Sequence, residues 1–133
     1  MHIAPCGMNC SLCRAYQRRV KPCPGCAGPE EHMPKYCARC RIRHCAEPGR
    51  AGAKFCHECP SYPCALMKRL DARYRSRYGM SMLENLDSIA RMGKAAFVKS
   101  EKKRWACPAC GGILCVHHEA CPSCSGRNPH FPG

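Results

Sequence analysis

Two short cysteine motifs near the C-terminus carry the clearest structural signal in this sequence. Residues 107–112 read Cys-Pro-Ala-Cys-Gly-Gly, and after a ten-residue gap from Cys110 the chain reads Cys-Pro-Ser-Cys at residues 121–124. A C-x2-C turn presents two sulfurs to one ion, and two such turns supply the four ligands of a tetrahedral zinc site. The spacing therefore predicts a zinc ribbon over residues 107–125, with a short strand between the turns and with four ligands: Cys107, Cys110, Cys121 and Cys124.

The same turn recurs through the rest of the chain. Cysteine accounts for 16 of the 133 residues, far above ordinary usage, and six C-x2-C pairs are present. The N-terminus has no basic stretch followed by an apolar run, so we predict no signal peptide and expect a cytoplasmic location, where thiols stay reduced. No stretch is long and apolar enough to predict a membrane span. Clustered cysteines in that setting indicate metal ligands rather than disulfides.

The positions of the cysteines divide the chain. Eleven lie in residues 1–64, none in residues 65–106 and five in residues 107–133. We predict a cysteine-rich metal-binding domain over residues 1–64, a helical segment over 65–106, the ribbon over 107–125 and a flexible tail over 126–133. The predicted fold class is a small metal-stapled α+β protein, because a chain with so few large apolar residues needs metal cross-links to support its core.

Apolar periodicity places three helices in the middle segment. An apolar residue recurs every four positions from Leu66 to Tyr74, and Gly79 is a suitable stop for this first helix. The Ser-x-x-Glu pattern that begins at Ser81 predicts a capping box at the start of the second helix. A third helix is predicted from about Lys94.

Residues 1–64 contain an internal repeat that predicts metal-binding turns. An aromatic-C-x2-C-x4-C unit begins at Tyr36 and again at Phe55, 19 residues later. One arrangement that fits zinc makes a site of Cys45, Cys56, Cys59 and Cys64, a second site of Cys23, Cys26, Cys37 and Cys40, and a third group of Cys6, Cys10 and Cys13. Other pairings fit nearly as well.

The total predicted content is three to four Zn²⁺ ions. The third group lacks one ligand, which a water or one of four histidines can supply: His2, His32, His44 or His57. The sequence leaves Cys115 unassigned, as a buried apolar residue or a replacement ligand, and makes His117 and His118 alternate ligands of the ribbon.

An iron–sulfur cluster at Cys6, Cys10 and Cys13 is the main alternative, since thiolates suit both metals. The spacing C-x3-C-x2-C also occurs in radical-SAM enzymes, but this chain is too short for their barrel and lacks alternating strands and helices. A zinc hydrolase or deaminase needs an acid or base beside an open metal position. Glu58 lies within a C-x2-C turn, where we interpret it as a solvated turn residue, and no catalytic residue is predicted.

The basic middle segment is the main indication of a binding function. The formal charge of +13 counts every cysteine as neutral, and it falls to about +5 if all sixteen bind four divalent ions as thiolates. Residues 66–104 carry eleven Lys or Arg against four acidic residues. We predict a binding or scaffolding module for nucleic acid or protein, with a solvated helix face as the competing interpretation. The predicted nucleic-acid contacts are Lys68, Arg69, Arg73 and Arg77.

The N-terminal cysteine pattern resembles a known family. The motifs are Cys-Gly-Met-Asn-Cys-x2-Cys at residues 6–13, Cys-Pro-Gly-Cys at 23–26, Tyr-Cys-x2-Cys-Arg-Ile-Arg-x-Cys-Ala at 36–46 and Cys-x2-Cys-Pro-Ser-Tyr-Pro-Cys at 56–64. Together they resemble a cysteine-rich family of bacteria and archaea that is catalogued as a domain of unknown function (3795). The resemblance covers about residues 3–70. It implies a prokaryotic metal-binding protein and no particular activity.

Overall fold

The computed structural model describes residues 1–26, 28–45 and 54–133, and this part of the chain is mostly helical. Its α-helices are α1 (Arg14–Gln17), α2 (Lys35–Ala38), α3 (Ala65–Tyr78), α4 (Met82–Met92) and α5 (Lys94–Arg104), and its 3-10 helices are Cys10–Leu12, Glu30–His32 and Cys56–Glu58. The N-terminal part is therefore built of short turns around cysteines, and the three long helices coincide with the segment predicted to be helical. In the described part of the chain no helix combines the length and apolarity that crossing a membrane requires.

Glycines end the first two long helices. Gly79 follows α3 with a φ of 67°, and Gly93 lies between α4 and α5 with a φ of 85°. Glycine reaches such values without the steric cost that a side chain brings. The end of α3 therefore lies where the sequence predicts it, at Gly79.

A buried carboxylate links α3 to the start of α4. Asp71 accepts hydrogen bonds from the Ser81 hydroxyl at 2.6 Å and the Leu83 amide at 3.1 Å, and it pairs with Arg75 at 2.7 Å. The Ser81 oxygen also accepts the Glu84 amide at 3.1 Å, which confirms Ser81 as the N-cap of α4. The Glu84 carboxylate lies 3.9 Å from Arg75. Three donors thus compensate the cost of burying the Asp71 charge.

One hydrophobic core joins the N-terminal turns, the long helices and the C-terminal segment. Gly7 lies so close to α4 that a Cβ atom there would be 2.9 Å from Cγ of Leu86, and the Asn85 side-chain amide donates to the Gly7 carbonyl at 2.9 Å. The N-terminal turns therefore pack directly on α4. The core includes Ile3, Leu12, Met67, Met80, Met82, Leu86, Ile89, Phe97, Trp105, Leu114 and Val116.

The β part of the predicted fold is not confirmed. Among the residues that the structure describes, β pairing is limited to three isolated bridges: Ile3 with Asn9, Ala106 with Ile113, and Ala120 with Arg127. The predicted strand between the ribbon turns does not form, since its Leu114 amide donates to Trp105 and its Val116 amide donates to Leu12, each at 2.9 Å. Bonds to two different segments leave no continuous ladder.

Residues of the segment predicted as a flexible tail make specific contacts. Asn128 is only 1% exposed, and its side-chain amide donates to the carbonyls of Cys115 at 3.1 Å and His118 at 3.0 Å. The ring of His130 lies 4.3 Å from the ring of Trp105, centroid to centroid. These contacts place the last part of the chain against the ribbon and the end of α5.

Candidate metal centre and basic groove

The four ribbon cysteines bring their sulfurs together. Cys107 Sγ lies 3.7 Å from Cys124 Sγ, Cys110 Sγ lies 3.8 Å from Cys121 Sγ, and all four sulfurs are within 4.8 Å of one another. Four thiolates at about 2.3 Å from a tetrahedral zinc ion stand about 3.8 Å apart. The sulfurs therefore already have the spacing of a four-thiolate metal site.

The two turns that carry these cysteines have the same backbone geometry. The Cys107 amide donates to the Gly112 carbonyl and the Cys121 amide to the Gly126 carbonyl, both at 2.7 Å. The same two glycine amides point to sulfur, Gly112 to Cys110 and Gly126 to Cys124, both at 3.4 Å. Each turn thus fixes its pair of sulfurs through backbone bonds that its own six residues supply.

One position in each turn requires the left-handed region of backbone space. Gly111 has a φ of 76° and Ser125, at the equivalent place in the second turn, has a φ of 64°. The amides of these residues close the turns by donating to the carbonyls of Cys107 at 2.8 Å and Cys121 at 2.9 Å. The glycine is suited to this conformation, whereas the serine adopts it against its steric preference.

The turn amides and the neighbouring thiols act on the acidity of these cysteines. Hydrogen bonds from the backbone of Cys124 and Ser123 lower the pKa of Cys121 to about 7, and those of Cys110 and Ala109 lower the pKa of Cys107. The Gly112 amide acts on Cys110 in the same direction, but the neighbouring thiols raise its pKa to about 11. A bound cation attracts all four thiolates and so removes this conflict between them.

The N-terminal half of the chain matches one family model. Residues 2–69, about half of the chain, match the family described as Protein of unknown function (DUF3795). The chain belongs to this family. The match includes all eleven N-terminal cysteines and confirms the resemblance seen in the sequence. No curated protein and no solved structure matches the chain.

The cysteines of the DUF3795 part are spaced differently from those of the ribbon. Within residues 1–26, 28–45 and 54–133, only the ribbon forms a group of three or more ligand atoms that all lie within 4.8 Å of one another. The predicted group of Cys6, Cys10 and Cys13 is therefore not gathered at that distance. Cys10 instead has its sulfur 3.9 Å from that of Cys26.

The four cysteines that the repeat predicts as one site line a single cavity. This cavity has a volume of about 270 Å³ and is also lined by Tyr62 and Met67. Its cysteines are Cys45, Cys56, Cys59 and Cys64. The structure thus brings this predicted set to one place, with the sulfurs farther apart than in the ribbon.

The remaining candidate ligands differ in what surrounds them. Cys115 is 1% exposed, burial raises its pKa, and the next residue, Val116, donates its amide to the carbonyl of Leu12 at 2.9 Å. Both ring nitrogens of His117 are engaged, Nδ1 accepting from the Arg14 amide at 3.4 Å and Nε2 lying 3.0 Å from the Tyr74 hydroxyl. His57 is different, because its buried Nδ1 has no hydrogen-bond partner among the described residues.

A basic groove lies between α3 and the N-terminal turns. It has a volume of about 520 Å³, and none of the described residues that line it is acidic. We call it the arginine groove, after Arg14, Arg41, Arg69, Arg73 and Arg77; its aromatic lining residues are Tyr36, Tyr74, Tyr78 and His117.

Three of the four predicted nucleic-acid contacts line the arginine groove, namely Arg69, Arg73 and Arg77. Lys68 is exposed on the same helix but is not one of the lining residues. Sequence periodicity could not identify Arg14, Arg41 and Tyr36, since they come from N-terminal turns and have no regular spacing relative to α3. The only sequence signal for the two arginines as binding residues is the overall excess of basic residues.

Proposed function

We propose that this chain is a zinc-stabilised module that binds single-stranded nucleic acid in the arginine groove. The observation that carries the proposal is a groove lined by five guanidinium groups and by no acidic residue of the described chain. Guanidinium groups form paired hydrogen bonds with phosphate oxygens, and each neutralised phosphate releases counterions. The chemistry favours a polyanion whose phosphates follow one another along the groove.

The aromatic residues of the groove favour a single strand. Tyr36 is 62% exposed, and interaction with its hydroxyl raises the pKa of Arg14, so the ring lies beside a phosphate-binding group and is open to solvent. The bases of a single strand are free to stack on such a ring, and each stacked base contributes about 1–3 kcal/mol. Tyr78 instead packs on Tyr74 and His117, with ring centroids 5.0 and 4.7 Å away, and forms part of the wall.

Zinc is the metal that the ribbon geometry supports. A tetrahedral set of four thiolates suits zinc, and four protein ligands leave no open position for substrate or water. Its role is therefore structural, holding together the C-terminal segment that packs against α3 through His117. We further propose that each chain binds three to four zinc ions, with the N-terminal cysteines as the additional ligands. We also propose that the protein is located in the cytoplasm.

The first experiment measures binding of a short fluorescent oligonucleotide by anisotropy over a series of salt concentrations. The variant Arg69→Ala/Arg73→Ala/Arg77→Ala removes three groove charges, and the variant Lys99→Ala/Lys102→Ala/Lys103→Ala removes three exposed charges from α5 as the matched control. Single-strand binding loses about 0.7 in its salt slope for each phosphate contact removed. We therefore expect the slope to fall by about 2 in the arginine variant and to stay near the wild-type value in the lysine variant.

Tyr36→Ala tests the choice of a single strand. Loss of one stacked base should weaken binding about 5- to 150-fold with an unchanged salt slope, and binding of a duplex should not respond. An equal decrease of the salt slope in the two triple variants would contradict binding in the arginine groove. So would the absence of oligonucleotide binding to wild type at low salt. Preference for an acidic polypeptide over the oligonucleotide would assign the groove to a protein partner.

Metal analysis of protein purified without oxygen tests the zinc part separately. Three to four zinc ions and a colourless sample are expected. Iron together with a visible absorption band would replace zinc by the iron–sulfur alternative.

A further inference from the structure

The first C-x2-C turn meets the second turn through Cys10. Its sulfur lies 3.9 Å from that of Cys26, close to the spacing of about 3.8 Å between thiolates that share a tetrahedral zinc ion. The Cys10 amide donates to the His2 carbonyl at 2.8 Å, and the His2 ring lies so close to Gly25 that a Cβ atom there would be 2.6 Å from it. The backbone bond of Cys10 to His2 and the packing of the His2 ring on Gly25 therefore hold Cys26 beside Cys10.

The other cysteine of each turn is held at a different place. Cys13 is the N-cap of α1, and the Cys23 amide donates to the carbonyl of Ala15, in the first turn of that helix, at 2.9 Å.

We propose that these two turns are each divided between two metal ions, so that Cys10 and Cys26 bind one ion while Cys13 and Cys23 bind another. The ligand pairs of this segment thus come from different turns. In the ribbon, by contrast, both sulfurs of a turn belong to the same site. The ions are thiophilic divalent cations of the zinc class, for which thiolates are suitable ligands.

Further thiols lie close to the two proposed centres. Cys6 is joined to this region on its other side, since the Cys56 amide donates to the carbonyl of the neighbouring Pro5 at 2.8 Å. The Arg43 side chain donates to the Cys26 carbonyl at 2.9 Å and holds the chain beyond Cys40 against the second turn. The third turn thus lies where it can complete the ligand sets.

Counting metal ions in paired variants separates a divided arrangement from an undivided one. With divided turns, Cys10→Ala/Cys26→Ala loses one ion and Cys10→Ala/Cys13→Ala loses two, since the second variant damages both centres. The control Cys107→Ala/Cys110→Ala loses one ion in either case, because both residues belong to the ribbon. Loss of one ion from the 10/13 variant and two from the 10/26 variant would overturn the proposal.

Cadmium-113 NMR of the wild-type chain gives the same decision without substitution. We expect one cadmium signal that couples to the β-protons of Cys10 and Cys26 and a second that couples to those of Cys13 and Cys23. A single signal that couples to both Cys10 and Cys13 would refute the division of the turns.

This inference rests on the proposed metal binding by the N-terminal cysteines, and the spectrum separates the two. Cadmium bound only at the ribbon would remove both the N-terminal ions and their pairing. The ribbon metal site and oligonucleotide binding in the arginine groove would not be contradicted by that result, because neither depends on metal at the N-terminal cysteines.

Discussion

Replacing His117 with Gln should remove a source of acid sensitivity. Burial, with the nearby charges of Arg14 and His118, lowers the pKa of His117 from 6.5 to about 4. Between those values the unfolded chain binds a proton that the folded chain does not, so the free energy of unfolding decreases as the pH falls from 6.5 towards 4. At pH 5 the linkage relation gives a loss of about 2 kcal/mol relative to neutral pH.

Urea unfolding of wild type and His117→Gln at pH 7 and pH 5, with zinc in excess, measures this loss. The variant lacks the ring contacts with Tyr74 and Tyr78 and should be less stable at pH 7. Its decrease from pH 7 to pH 5 should nevertheless be about 2 kcal/mol smaller than that of wild type. His118→Gln, at an exposed neighbouring position, controls for metal release by acid, which affects every variant. Equal decreases in wild type and His117→Gln would refute the argument.

Three further substitutions test the turns and the core. Ser125→Gly should stabilise the chain by about 0.5–1 kcal/mol in thermal unfolding, because glycine adopts the left-handed backbone conformation of this position without strain. The reverse change at the equivalent position, Gly111→Ser, should destabilise the chain. A Ser125→Gly variant less stable than wild type would contradict this reasoning. Glu101→Gln should raise stability at pH 7, since burial raises the pKa of Glu101 and wild type loses stability as the pH rises above the unfolded value of 4.5. The advantage of Glu101→Gln should be larger at pH 7 than at pH 4, and an equal advantage at both would show that the charge is not responsible.

Features that depend on local sequence could be predicted. The ribbon turns are specified within six residues each, including the glycines at positions 112 and 126 that bond to cysteine. The end of α3 at Gly79 and the start of α4 at Ser81 could be predicted in the same way, because helix caps depend on neighbouring residues alone.

Features that depend on contacts between distant segments could not be predicted from the sequence. The predicted strand is absent because Leu114 and Val116 bond to two separate parts of the chain. Spacing brings the two cysteines of a C-x2-C turn together in sequence but does not decide which sulfurs meet, and the contact of Cys10 with Cys26 depends on how His2 packs on Gly25. The pairing of ligands in residues 1–64 accordingly remains a prediction.

The arginine groove shows the same division between local and distant information. The helical spacing of Arg69, Arg73 and Arg77 predicts a basic face on α3. Only the fold adds Arg14 and Arg41 and thereby turns this face into a groove.

The contact of Gly7 with Leu86 crosses the boundary of the family match, because Gly7 lies inside the matched segment and Leu86 lies beyond it. The segment that defines the family is therefore shorter than the unit that folds. The family match ends at residue 69, inside α3, whereas the residues that cover the N-terminal apolar side chains lie on α4 and in the segment after α5. An excised fragment ending at that boundary would retain eleven cysteines and lose the core residues that follow it, from Met80 to Val116. A chain that carried only the family segment would therefore have to cover this surface in another way, with a different accessory segment or with a second chain.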